Sequence, residues 1–149
     1  MRIYVDADAC PVKEEVVRVA TRHALPVVFV ANSWMRLPER PLVERVVVGD
    51  GADAADHWIA ERVGAGDIVV TQDIPLASRA LSVGARAVTP HGKALTDANI
   101  GMSLAMRDLM KDLREAGVMD SRNPSFTRAS RSDFLQTLEG IIQALKRAR

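Results

Sequence analysis

Five short apolar runs recur between Ile3 and Thr89, and amphipathic segments separate them. They are Ile3 to Val5, Val27 to Ala31, about Val43 to Val48, Ile68 to Thr71, and Ala85 to Thr89. Val27 to Ala31 is apolar at every position, which predicts a strand buried on both faces. After the first run, Val12, Val16, Val17, Val19 and Ala20 fall near helical spacing, with Lys13, Glu14, Glu15, Arg18 and Arg22 on the other side. Pro26 ends that helix near Ala24. Ala52 to Val63 predicts a second helix with Ala55, Trp58, Ile59 and Val63 on one stripe. Pro75 opens a third, with Leu76, Ala77, Ala80 and Leu81 inward, and Gly84 stops it. Five strands alternating with helices predict a doubly wound, mostly parallel five-stranded α/β sheet. Right-handed crossovers place helices on both of its faces.

Beyond Pro90-His91-Gly92 the period is helical. Ile100, Leu104, Ala105, Leu109, Met110 and Leu113 predict one long helix from Asp97 to about Gly117. Residues 118–129 have no period and contain Asn123-Pro124, so they read as a loop or flexible excursion. Ser132-Asp133 can cap a last helix with Phe134, Leu135, Leu138, Ile141, Ile142 and Leu145 as its apolar face. No internal repeat or low-complexity tract appears. The expectation is a single domain over 1–149, with an α/β core at 1–90 and a helical part at 91–149.

Composition narrows this little. Hydrophobic residues at 48% and charged residues at 26% exclude a disordered chain. Charge is uneven: residues 120–149 carry six basic and three acidic groups, leaving a net of −2 on residues 1–119. A basic tail suits either a polyanionic partner or a solvated helix surface. Cys10 is the one cysteine, so no disulfide framework exists. No signal-peptide pattern and no apolar run of about 20 residues is present, so a cytoplasmic protein without membrane association is expected.

The chemistry-bearing residues are acids at element ends. Asp6 and Asp8 follow the first strand, Asp50, Asp53 and Asp56 surround the start of the second helix, and Asp73 follows the fourth strand. In the common strand order 3-2-1-4-5, strands one and four are central neighbours and the winding reverses between them. Asp6 and Asp73 would then face each other across the switch-point crevice. Asp53 and Asp56 share one helix face and can lean over the same site. Several carboxylates at close range stay ionised only beside a cation, and all-oxygen donors favour Mg²⁺ or Mn²⁺. Such ions activate water and stabilise phosphodiester displacement. Plainer explanations exist for the parts: acids suit a helix's first turn, and Asp73 before Ile74-Pro75 suits an N-cap. An acid directly after a buried strand, as at Asp6, has no capping role.

Lys13, Trp34, Arg36, Arg79 and Arg107 are candidates for contacting RNA or another single-stranded nucleic acid. Trp34 lies in a loop near a strand's carboxyl end, where its ring can stack on a base. Lys93, Lys111 and Arg114 can reach phosphates if their segments line the crevice. Cys10 reads as a small buried residue, and His23, His57 and His91 lack metal-ligand spacing.

Ile3-Tyr4-Val5-Asp6-Ala7-Asp8-Ala9-Cys10-Pro11-Val12-Lys13, Ala54-Ala55-Asp56 before Trp58-Ile59, Thr71-Gln72-Asp73-Ile74-Pro75-Leu76-Ala77 and Asn99-Ile100 together resemble the bacterial YaiI/YqxD family. The resemblance spans nearly the whole chain. It implies a PIN-like fold, whose better-known members are Mg²⁺- or Mn²⁺-dependent nucleases. It also implies a metal role for Asp6, Asp56 and Asp73, with Asp8 and Asp53 assisting, so Asp6, Asp8, Asp56 and Asp73 are the expected catalytic group. Two other readings compete. One is a metal- or nucleic-acid-binding domain without turnover. The other is a haloacid-dehalogenase-like phosphatase with Asp6 as nucleophile and Asp8 as acid. That scheme wants a lysine between the second strand and Gly49-Asp50-Gly51-Ala52-Asp53, where only Arg36, Arg40 and Arg45 occur. It also leaves Asp73 unused.

Overall fold

The first apolar run is buried on both sides because different helices cover its alternate side chains. The computed structural model describes residues 1–8, 10–49, 51, 53–102, 105–106 and 126–148. Strand β1 (Ile3–Asp6) leads into helix α1 (Lys13–Arg22), β2 (Val27–Ala31) and β3 (Val43–Val47). Helix α2 (Ala54–Arg62), β4 (Ile68–Val70), α3 (Ile74–Ser82) and β5 (Arg86–Val88) follow. Then come β6 (Ala94–Leu95), a helical stretch α4 (97–102) and the 20-residue α5 (Arg128–Arg147).

The sheet order is β3-β2-β1-β4-β5-β6. All pairs are parallel except β5–β6. On one face, Ile3, Val5, Val27 and Phe29 pack with Val12, Val16 and Val19 of α1 and with Phe134, Leu138 and Ile142 of α5. On the other, Tyr4, Val28, Val30 and Val69 pack with Ala55 and Ile59 of α2 and with Leu76 and Ala80 of α3. This is a doubly wound α/β fold, consistent with the PIN-like class. No helix among the described residues is long and apolar enough to cross a membrane.

The structure departs from expectation at three places. A sixth strand, β6, joins the sheet beyond Val88 and runs antiparallel to β5, pairing Ala87 with Leu95 and Val88 with Ala94. The turn over residues 89–93 reverses the chain through Thr89 N–H to Lys93 O (2.9 Å) and Gly92 N–H to Thr89 O (2.9 Å). Two residues are too few for a period to register.

The last helix also begins earlier than Ser132-Asp133 indicates. Thr127 is its N-cap, and its hydroxyl accepts from the Ser130 amide at 3.1 Å. Residues 128 and 129 are therefore helical rather than part of a loop, since a capping hydroxyl satisfies one of the otherwise unpaired first-turn amides. The expected segment from 107 to 125 lies outside the described residues, as do Arg107, Lys111 and Arg114.

Third, part of the basic tail is spent inside the molecule. Arg131 of α5 pairs with buried Glu15 of α1 at 2.7 Å, and the Lys146 ammonium lies 2.8 Å from Nδ1 of His23. His23 Nε2 lies 2.7 Å from Glu139, which Arg22 also pairs with. These charges hold α5 against α1, which reduces what the tail can offer a polyanion.

Candidate functional site

Parallel pairing of β1 with β4 sets Val5 beside Val70, so the next residues, Asp6 and Thr71, leave the sheet side by side. The Thr71 hydroxyl, almost fully buried, donates to Asp6 Oδ2 at 2.9 Å. The Thr71 hydroxyl oxygen in turn accepts from the Asp73 amide at 2.9 Å. Asp73 is the N-cap of α3, its Oδ1 accepting from the Leu76 amide at 2.8 Å, and Ile74-Pro75 opens the helix. Asp56, in the first turn of α2, lies within hydrogen-bonding reach of both Asp73 and Asp6. Three elements thus bring Asp6, Asp56 and Asp73 together at the switch point between β1 and β4.

The electrostatics follow from this crowding. Burial, the hydrogen bond with Asp73 and the nearby charges of Asp6 and Asp73 push the Asp56 carboxyl up to about 8. Burial also raises Asp6, although hydrogen bonds from Thr71 and Asp56 partly oppose it. At neutral pH the cluster therefore keeps a proton, which Asp56 can donate to either neighbour. The capping role and the cluster role of Asp73 coexist in one carboxylate.

The other expected site residues are dispersed. Asp8 is exposed, and both of its carboxylate oxygens accept from the Asn32 amide at 3.2 Å. Its charge is felt at Asp6. Asp53 occupies the N-cap position of α2 but makes no side-chain cap bond, and it is exposed. The Lys13 ammonium donates to the Cys10 carbonyl at 2.9 Å. Arg79 lies exposed in the last turn of α3. Cys10 is buried, and burial raises its thiol, as expected for a packing residue. Thr71 is the residue that sequence reasoning missed. Its only signal is position, one residue past the β4 apolar run, and its partner becomes visible only through the strand register.

Beside the cluster, an open groove of about 810 Å³ runs along the β1–α1 turn and the loop after β2. Lys13, Trp34, Arg36, Arg45 and Arg131 line it, together with Glu14, Glu15 and Glu39. The three clustered aspartates do not line this groove.

The donor set at Asp6, Asp56 and Asp73 is all oxygen, and burial and the neighbouring carboxyls raise Asp56. That chemistry fits a hard divalent cation. Among the described residues no three His, Cys, Asp or Glu side chains stand ready as a ligand cage. Asp56 instead lies within hydrogen-bonding reach of Asp6 and Asp73, and the carboxyls would have to turn to take an ion.

Fold and site together define a doubly wound α/β domain with a three-carboxylate cluster at its switch point. The family described as the uncharacterised YaiI/YqxD family matches residues 4–144, and the chain belongs to it. It is 55% identical over 148 residues to a UPF0178 protein of Rhodopseudomonas palustris, covering 99% of this chain and 94% of that one. A UPF0178 protein of Parvibaculum lavamentivorans is 57% identical over 145 residues, covering 97% and 95% of the two chains. One from Bradyrhizobium diazoefficiens is 53% identical over 148 residues, covering 99% and 89%. No solved structure matches this chain.

Proposed function

We propose that this protein is a metal-dependent phosphodiester hydrolase acting on RNA or DNA, with Asp6, Asp56 and Asp73 holding Mg²⁺ or Mn²⁺. The observation that carries this reading is the meeting of three carboxyls from three elements at the switch point, crowded enough that one of them retains a proton near neutrality. Such crowding is costly for folding alone and is relieved by a dication. Bound there, the ion supplies an activated water and offsets charge on the phosphate. Thr71 orients Asp6 through its hydroxyl, and the α3 amide at Leu76 fixes Asp73. The Asp56 carboxyl stores a proton that is displaced when the cluster becomes fully ionised. Asp8, at the mouth of the β1–α1 turn, and Asp53 assist at longer range.

A phosphatase using Asp6 as nucleophile leaves the meeting of Asp56 and Asp73 with Asp6 unexplained. A domain that binds metal without turnover fits the cluster but leaves its place at the ligand-binding edge of the sheet without a use.

Labelled single-stranded RNA and p-nitrophenyl phosphate, each incubated with Mn²⁺ and with EDTA, separate these readings. Cleavage of RNA that needs Mn²⁺ and disappears in Asp6→Asn supports the hydrolase. Turnover of the monoester alone selects the phosphatase. Silence on both substrates, with metal-dependent thermal stabilisation, selects the binding domain.

A further inference from the structure

Trp34 is the second most exposed of the large apolar side chains described, at 66%, yet its ring is not adrift. The Arg45 guanidinium lies over it, 4.7 Å from the ring centroid. Arg45 is itself anchored, its Nε donating to the Met35 carbonyl at 2.8 Å and its stem rising from β3. An indole held by a cation from a strand, next to a groove, is a prepared flat surface. A tryptophan kept only for packing would be covered.

The groove supplies the rest. Arg36 follows two residues after Trp34, and Lys13 and Arg131 stand on the α1 and α5 sides. Glu15 neutralises Arg131, and Glu14 and Glu39 also line the groove, so its net charge is small. A uniformly cationic track for duplex DNA is absent there. Aromatic stacking with a few cations is instead the combination that recognises an unpaired base and its adjoining phosphates.

The loop with Trp34 is tied to the carboxylate end of the sheet. Asp8, two residues after Asp6, accepts from the Asn32 amide at 3.2 Å, and the Asn32 side-chain amide reaches the Gly51 carbonyl at 3.4 Å. A strand lying in the groove with a base on Trp34 therefore passes close to the β1–α1 turn that begins at Asp6.

We infer that Trp34, backed by Arg45, is a base-stacking site for single-stranded nucleic acid, with Arg36 and Lys13 taking the adjacent phosphates. This deepens the hydrolase reading by locating where its substrate is gripped, but it is tested without catalysis. Fluorescence anisotropy is read in EDTA, with labelled oligouridylate, oligothymidylate and a blunt duplex, each about ten nucleotides long, within the span a single-strand groove covers. The expected result is binding of one or both single strands in preference to the duplex. Trp34→Ala weakens that binding on the order of tenfold or more, while Trp34→Phe retains most of it. Tighter binding of oligouridylate assigns the strand as RNA, and tighter binding of oligothymidylate as DNA. The melting temperature should be unchanged in Trp34→Ala, because the ring is exposed. Absence of binding to any oligonucleotide, preference for the duplex, or equal affinity in Trp34→Ala overturns the inference. If binding is seen but Mn²⁺ brings no cleavage, the hydrolase reading fails and this one stands. If cleavage occurs with Trp34→Ala affinity unchanged, the reverse holds.

Discussion

The Thr71 hydroxyl donates to Asp6 Oδ2 at 2.9 Å, and no polar alternative for that hydroxyl is needed because it also accepts from the Asp73 amide. One buried oxygen thus positions two of the three clustered acids. Thr71→Val keeps the shape and removes both bonds, leaving the Asp73 amide without its partner. Stability should fall by about 1–3 kcal/mol in urea denaturation. Metal affinity, read by calorimetry, should fall roughly 10–100-fold, as for other partners that orient ligands. Thr71→Ser should restore most of both.

The Asp56 carboxyl makes the fold pH-dependent. Its value is near 8 in the folded chain against 3.8 for the free group, so between these limits the folded state binds the extra proton. Stability should therefore decline as pH rises from about 4 through about 8. Thermal melts across that range should show the decline, and Asp56→Asn should flatten it and raise the melting temperature at pH 8. A melting temperature that rises across this window would contradict the assignment.

Binding of Mg²⁺ or Mn²⁺ should expel that proton. At pH 7 the cluster releases close to one proton per site filled, because ligating carboxylates must be ionised. Titration calorimetry in buffers of different ionisation enthalpy measures the release directly. Asp56→Asn should abolish the release, and Asp6→Asn should weaken binding itself.

Gly92 occupies a left-handed conformation at φ +91°, and an added Cβ would sit 2.6–2.8 Å from the Asp133 and Phe134 backbone. Neither obstacle is a side chain that can swing away. Gly92→Ala should cost about 2–4 kcal/mol from strain and overpacking combined. Denaturant titration checks the value, and loss of α5 from its seat should appear as a smaller m-value.

Much of this architecture could be read from residue order because buried strands and amphipathic helices leave different periods. Val27 to Ala31 matches β2 at both ends, and the parallel order through β5 follows from alternation and handedness. Asp6 and Asp73 were legible as neighbours by the same reasoning. Contacts that depend on register or on loop path were not. Thr71 meets Asp6 only because Val5 lies beside Val70, and Arg45 reaches Trp34 only because β3 passes under its loop. The cap at Thr127 precedes Arg128-Ala129, which carry no apolar period to announce a helix. Thr96 and Asn99 similarly exchange bonds across the start of α4, the Thr96 amide to Asn99 Oδ1 at 2.9 Å and the Asn99 amide to Thr96 Oγ1 at 3.3 Å. That exchange has the reciprocal form of a capping box with asparagine in the usual glutamate place.

Helix α5 contributes Phe134, Leu138 and Ile142 to the same core as Ile3 and Val5, from the far end of the chain. During synthesis the strands leave the ribosome first, with one apolar face uncovered. Helix α1 covers part of that face early, and the rest stays open until residues 134–142 follow. A chain ending before Phe134 would carry that uncovered part of the sheet into solution, where exposed apolar side chains invite association.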